Sequence, residues 1–319
     1  MQEVVLAADL GGTNLRMAVV SVDGSIPHRL RHSTPASKTS NEIIEAITLL
    51  AAECRQTFGS GSDLKKFGIA VPAIVSAADG TIISSPNLPK LNGIDIASEL
   101  SERLGLKVLL ENDANAAAVG ENWLGASRDV DNSICVTLGT GVGGGLIING
   151  RLVRGIDGTA GEVGHINVQP DGHPCGCGSW GCLEQYASAT AVVRLALELA
   201  SKYPDSPIAG RANVSATEVF KSGQEGDALS LEVFRQVGTN LGIALAGLIN
   251  VLNPEVIVIG GGASAGWELF IEHVQHQINE RAFRQPGESV RLFRAALGDD
   301  AGILGSAKLA FNLPSVGGR

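Results

Sequence analysis

Five short segments of this 319-residue chain carry residues whose types and spacing could do chemistry. In the first, Glu162 and His165 are followed closely by Cys175, Cys177, Cys182 and Glu184. One imidazole and three thiols form a Cys3His set, the donors that suit one tetrahedral structural zinc per chain. Free thiols are the alternative, but such a cluster in a reducing compartment favours a metal. Two further segments are glycine turns, Asp9-Leu10-Gly11-Gly12-Thr13-Asn14 and Leu138-Gly139-Thr140-Gly141-Val142-Gly143-Gly144. Glycine lets backbone N–H groups approach phosphate oxygens closely, and the threonine hydroxyls add donors. Asp9, at a strand end, would hold a hydrated Mg2+. Either turn alone could be an ordinary hairpin; the two together point to phosphate. In the fourth segment, Glu111-Asn112-Asp113, a carboxylate stands at a strand-to-helix junction. It could cap the helix or serve as the general base for a substrate hydroxyl. The fifth, Val256 to Ala263, is an apolar strand ending in Gly260, Gly261 and Gly262. Bare backbone there would let a flat group such as adenine with its ribose lie close.

Two familiar phosphate motifs fail. Gly139, Gly141 and Gly144 satisfy G-x-G-x-x-G, but Gly145 to Gly150 read as a strand and a turn. The dinucleotide fingerprint needs a helix there to meet the pyrophosphate. No G-x-x-x-x-G-K-[ST] sequence is present. His28 and His173 have no ligand-type company and are expected to face solvent. Cys54 and Cys135, in apolar surroundings, are expected in the core.

The elements that must position these residues alternate between strand and helix. Strands are predicted at Val4–Leu10, Leu15–Val22, Lys66–Val71, Lys107–Leu110, Ser133–Leu138, Leu146–Asn149 and Glu255–Ile259. Gly139–Gly145 reads as a loop. Helices are predicted at Asn41–Phe58, Asp95–Leu104, Asp113–Trp123, Ala187–Lys202, Leu229–Leu252 and Gly266–Phe283, with a last one starting near Asp300. Strand, glycine turn, strand thus occurs twice, which predicts two related α/β domains facing each other across a cleft.

Composition narrows the function. Lys and Arg number 24 against 33 Asp and Glu, a net charge of −9, and the longest basic run is Lys65-Lys66. Nucleic-acid backbone binding needs clustered cations, so it is not expected. With 4% aromatic residues there is no base-stacking surface either. No apolar stretch spans a bilayer and the N-terminus lacks a signal pattern, so the protein is expected in the cytoplasm, off the membrane.

On Asp9 to Thr13, Asn112-Asp113, Thr140-Gly141, the block from Glu162 to Glu184 and Gly261-Gly262, the chain resembles the ROK family (repressors, open reading frames and kinases). It is most similar to the bacterial glucokinase branch. The resemblance implies a two-domain actin/hexokinase-like (ribonuclease H-like) α/β fold. Residues 1–115 would form a small domain completed by a C-terminal helix at about 300–319. Residues 116–299 would form a large domain with a zinc-binding loop at 155–184. By the family pattern, Asp9, Gly11, Gly12, Thr13 and Asn14 belong to the first phosphate motif, Thr140 and Gly141 to the second, and Gly261 and Gly262 to the adenosine motif. Asp113 is the implied catalytic base. Asn87, Asn112, Glu162, His165 and Glu184 are the implied sugar contacts, and His165, Cys175, Cys177 and Cys182 the implied zinc ligands. The implied activity is a glycolytic one: ATP with Mg2+ phosphorylates a hexose at its 6-hydroxyl, glucose giving glucose 6-phosphate, in a homodimer. Kinases of N-acylhexosamines or fructose are the alternative within the family. A sugar-responsive repressor is a remote one, because its helix-turn-helix would precede the first phosphate motif, which here begins at Asp9. A zinc-stabilised binding module without catalysis is disfavoured by Asp113 and the two phosphate turns. Ala73, Ser76 and Leu91 depart from the family's usual residues on the sugar side, so they bear on which sugar is preferred.

Overall fold

The computed structural model describes residues 3–37, 39–58, 64–76, 78–211 and 213–314. In chain order the first elements are β1 (Val4–Leu10), β2 (Asn14–Ser21), β3 (His28–Ser33), α1 (Ser40–Phe58), β4 (Lys66–Val71), β5 (Ile74–Val75) and β6 (Ile82–Ser84). Next come α2 (Ile96–Leu104), β7 (Lys107–Asn112), α3 (Asp113–Leu124), β8 (Ser133–Leu138), β9 (Val142–Ile148) and β10 (Arg151–Leu152). They are followed by the single turn α4 (Glu184–Ala187), then α5 (Ala189–Leu199), α6 (Ala216–Gln224), α7 (Ala228–Leu252) and β11 (Val256–Gly260). The chain ends with α8 (Trp267–Arg281), α9 (Arg284–Ser289), β12 (Arg291–Arg294) and α10 (Ala301–Phe311). Residues 315–319 of the expected last helix lie outside the described residues.

The chain separates into two compact units. Unit 1 comprises Met1–Asp129, Gly145–Gly161 and Ala296–Arg319; unit 2 comprises Val130–Gly144 and Glu162–Ala295. The first sheet has the order β3-β2-β1-β4-β7, with β1, β2 and β3 antiparallel and β1, β4 and β7 parallel. The second has the order β10-β9-β8-β11-β12, with β8, β11 and β12 parallel. Numbered by their place in each sheet, both read 3-2-1-4-5. A small hairpin, β5-β6, stands apart.

Alternation along β1 explains how unit 1 is layered. Val4, Leu6, Ala8 and Leu10 enter one core with Ile43, Ile44 and Ile47 of α1 and Leu100 of α2. Val5 and Ala7 point to the other face, against Ile303, Leu304, Ala307 and Ala310 of α10. Successive strand residues face opposite sides, so a strand covered by helices on both faces is apolar throughout. α3 and α10 approach closely, because a Cβ added at Gly305 would land on the Ala116 carbonyl oxygen. In unit 2, Gly238 and Gly242 of α7 give α8 the same close approach, at the carbonyls of Phe270 and Val274.

Two expectations need correction. The predicted loop from Gly139 to Gly145 is shorter, because β9 already begins at Val142. Gly145 is a strand residue whose added Cβ would lie 2.5 Å from the Ala118 Cβ and 3.0 Å from the Ala114 carbonyl oxygen, so close packing on α3 requires a residue without a side chain. His28 and His173 do not simply face solvent, since both are half-buried. The His28 Nε2 is buried without a partner among the described residues. His173 Nε2 lies 2.6 Å from Arg194 Nη1, and its ring meets the ring of Tyr186 at 5.8 Å.

Candidate active site

In unit 1 the candidate residues collect at the carboxyl ends of three adjacent parallel strands. The register pairs Asp9 of β1 with Ala70 of β4, and Val71 of β4 with Asn112 of β7. Ligands of open α/β sheets bind outside such strand ends. The turn from Gly11 to Asn14 is closed by the Gly11 N–H donating to the Asn14 carbonyl at 2.8 Å. Thr34 steadies it, its hydroxyl donating to the Gly11 carbonyl at 2.7 Å and its N–H to the Thr13 carbonyl at 2.9 Å. Asn14 Oδ1 accepts from Arg31. Asp9 faces Arg16 at 3.7 Å. Burial pushes its carboxyl above the ordinary value of 3.8; Arg16 opposes the rise, and Asp299 adds to it.

At the end of β7, the cap and the acid are separate residues. The Asn112 side chain accepts from the Ala114 and Asn115 N–H groups at 2.9 and 3.0 Å and so caps α3. Its Nδ2 donates to the Ala73 carbonyl at 3.1 Å. Asp113 is the next residue, exposed, with Oδ1 accepting from the Ala114 N–H at 2.9 Å. Asn87 is exposed in the loop between β6 and α2. That loop and Asn112 meet one stretch of backbone: Ser85 Oγ donates to the Pro72 carbonyl at 2.8 Å, beside Ala73.

Two buried carboxylates flanking Asp113 in sequence have partners the sequence did not disclose. Glu111, 4% exposed, accepts from Arg154 Nε at 2.7 Å, from Asn115 Nδ2 at 3.0 Å and from the Asn112 N–H at 3.1 Å. Glu121, also buried, accepts from the N–H groups of Ala126, Leu297 and Ala296 at 2.8, 2.8 and 3.1 Å. The Glu111–Arg154 pair spans 43 residues of sequence, and no local pattern signals it.

In unit 2, four candidate ligand atoms converge. Cys177 and Cys182 Sγ lie 3.7 Å apart, Cys175 Sγ and His165 Nδ1 3.6 Å apart, and all four lie within 4.8 Å of one another. A tetrahedron with Zn–S about 2.3 Å and Zn–N about 2.0 Å has edges of roughly 3.8 Å (S–S) and 3.5 Å (S–N). The four residues therefore fit zinc. Burial pushes the Cys182 thiol up to about 12, whereas the Ser179 N–H holds Cys177 below its ordinary value. A dication that binds thiolates would override both. His165 turns its other nitrogen, Nε2, toward Glu162 Oε2 at 3.8 Å.

The second glycine turn and the triple glycine are neighbours. β11 pairs with β8 in a register that sets Gly260 beside Thr137, and Gly261, at φ +82°, lies against the Leu138 carbonyl. Gly262 has no neighbour that a Cβ would meet. Beside Thr140 a cavity of about 560 Å³ is lined by Ala189, Thr190, Val193, Arg194 and Leu197 of α5, with Ser215 and Ala216.

Comparison with known proteins adds the following. The sequence model of the ROK family matches residues 5–312. A glucokinase of Thermotoga maritima is 36% identical over 309 residues, covering 96% of each chain. The crystal structure of a ROK family glucokinase from Streptomyces griseus, in complex with glucose and AMPPNP, is 34% identical with a TM-score of 0.82, covering 97% of this chain and 100% of that one. A xylose repressor of Bacillus subtilis is 29% identical over 307 residues, covering 95% of this chain and 76% of the repressor.

Proposed function

The chain belongs to the ROK family, and from that premise we infer that it is a sugar kinase of actin/hexokinase-like fold that transfers a phosphoryl group from ATP to the 6-hydroxyl of glucose. Asp113 is the general base. The observation that supports this role is placement: Asp113 is exposed where β7 ends and α3 begins, next to Asn112, which caps the helix. Asp113 accepts the proton of the sugar hydroxyl as its oxygen attacks the γ-phosphorus in line and ADP departs. Such transfer depends mainly on positioning and electrostatics.

Asp9 and the turn from Gly11 to Asn14 bind phosphate. Asp9 would carry Mg2+ through its water shell, and that ion supplies neutralising charge to the phosphates. Thr140 and Gly141 form a second phosphate-binding turn. The adenosine lies along Gly261 and Gly262. Asn87, Asn112, Glu162, His165 and Glu184 orient the sugar hydroxyls. One zinc on His165, Cys175, Cys177 and Cys182 keeps the last three of those on an ordered loop. We place the protein in the cytoplasm, as a homodimer feeding glycolysis; among the described residues no helix is long and apolar enough to cross a membrane.

A panel of hexoses assayed with Mg-ATP tests the reading. Glucose is expected to show the highest kcat/KM, above fructose and the N-acylhexosamines. Absence of ATP-dependent turnover on every hexose would overturn it, and a higher value for an N-acylhexosamine would move the protein within the family.

A further inference from the structure

The segment that carries the Cys3His cluster also grips the second glycine turn. Glu184 Oε2 accepts from the Val142 N–H at 3.1 Å, and a Cβ added at Gly141 would land on that same oxygen. Gly164 presses on the Val142 carbonyl, leaving no room for a side chain. Gly164 adjoins His165, and Glu184 follows Cys182 by two residues, so both grips stand next to a candidate metal ligand. The start of α5 completes the enclosure. The Ala189 N–H donates to the Gly139 carbonyl at 2.8 Å, and the Thr190 hydroxyl to the Thr140 carbonyl at 2.9 Å. Within the turn, the Gly139 N–H donates to the Gly141 carbonyl at 2.9 Å. None of these bonds uses the N–H of Thr140 or Gly141.

We propose that Glu184 is a positioning residue for the nucleotide: by holding the Val142 N–H and filling the space over Gly141, it fixes the turn that presents the Thr140 and Gly141 N–H groups to phosphate. This rests on the kinase reading and extends it, because Glu184 then serves the nucleotide as well as the sugar. The electrostatics sharpen the claim. A carboxylate beside bound phosphates repels them, so its charge opposes the ligand while its hydrogen bond orders the site. The bond and the charge can be separated. Glu184→Gln keeps an oxygen acceptor for Val142 and removes the charge, whereas Glu184→Ala removes both.

The test is calorimetric titration of Mg-AMPPNP into the protein without sugar, with zinc content measured on each preparation. Glu184→Ala is expected to bind about five- to tenfold more weakly, the loss of one charge-assisted hydrogen bond partly offset by the removal of the repelling charge. Glu184→Gln is expected to bind at least as tightly as wild type. If Glu184→Ala loses its zinc, Gly164→Ala, which displaces the Val142 carbonyl, replaces it with the same expected weakening. Wild-type affinity in the alanine variants, or equal weakening in Glu184→Gln and Glu184→Ala, would overturn the proposal. A wild-type protein that binds Mg-AMPPNP with this pattern yet phosphorylates no hexose would sink the kinase reading while leaving the turn's dependence on Glu184 standing.

Discussion

Two carboxylates at strand ends face opposite demands. Asp113 is exposed and its neighbour does the capping, so Asp113→Asn should leave the fold and sugar binding intact. Its turnover with glucose and ATP should fall by about 10²–10⁴-fold, the range for a positioned base; a variant keeping a third of wild-type kcat would mean the proton goes elsewhere. Asp9 is a case of function held at a stability cost. Burial raises its carboxyl above 3.8, so ionisation of Asp9 favours the unfolded chain, and that cost is fully present above the raised folded value. Asp9→Asn should therefore raise the Tm of the ligand-free protein near neutral pH. The gain should shrink as the pH falls through the folded value and vanish below 3.8, where both states bind the proton. The same variant should weaken Mg-ATP use with little change in glucose KM. Calorimetry across pH, with two-substrate kinetics, checks both halves. The residue types at these sites were legible because carboxylates and glycines stood at strand ends. Glu111, Arg154 and Glu121 were not, since their partners come from distant chain and only packing brings them together.

Among the elements, the loop from Glu162 to Glu184 is held by turns rather than by a large apolar core. Its short bridges, Asn167 with Cys182 and Pro174 with Trp180, frame the four candidate metal donors. Cys177→Ala or Cys182→Ala should remove one zinc per chain, read by mass spectrometry, and raise the KM for glucose strongly. The contact of Glu184 with the second turn implies that nucleotide affinity falls too, by a smaller factor. Wild-type protein purified without chelators, free of zinc and fully active, would contradict the metal's role. Helix packing gives an independent test. Gly305→Ala would drive a Cβ onto the Ala116 carbonyl oxygen where α10 meets α3. Overpacking of this kind costs about 3 kcal/mol, which chemical denaturation would detect. Elements with strong apolar periodicity, such as β1, α1 and α7, were readable in sequence. β3 (HRLRHS) and β12 (RLFR) were not, because edge strands with half-exposed polar residues carry no alternation that distinguishes them from loop. The length of the second turn was misjudged because glycines at 143 to 145 look like a loop, although Gly145 is there to admit α3.

At the scale of the molecule, the repeat of strand, glycine turn and strand was visible as two occurrences some 130 residues apart. The shared 3-2-1-4-5 order of the two sheets was not, because sheet order depends on crossover connections that a linear pattern does not record. Unit 1 is also discontinuous in sequence, and this has a consequence for how the protein is made. Its first strands leave the ribosome early, but the helix that covers Val5, Ala7, Ala18 and Val20 of the sheet is α10, close to the end of the chain. Between the end of α3 at Leu124 and the start of α10 at Ala301, roughly 180 residues must be synthesised, which at about 5–20 residues per second takes on the order of 10–35 s. During that interval this apolar face of the sheet lacks α10, and only Ile26 and the end of α3, Trp123 and Leu124, are available to pack against it. A nascent chain stalled before Gly298 should therefore be protease-sensitive in its first 120 residues and should engage chaperones that bind exposed strands, whereas release of the full chain should confer protection within the same residues. Limited proteolysis of stalled and released chains would show this, and protection of the stalled chain would mean that the sheet is stable without α10.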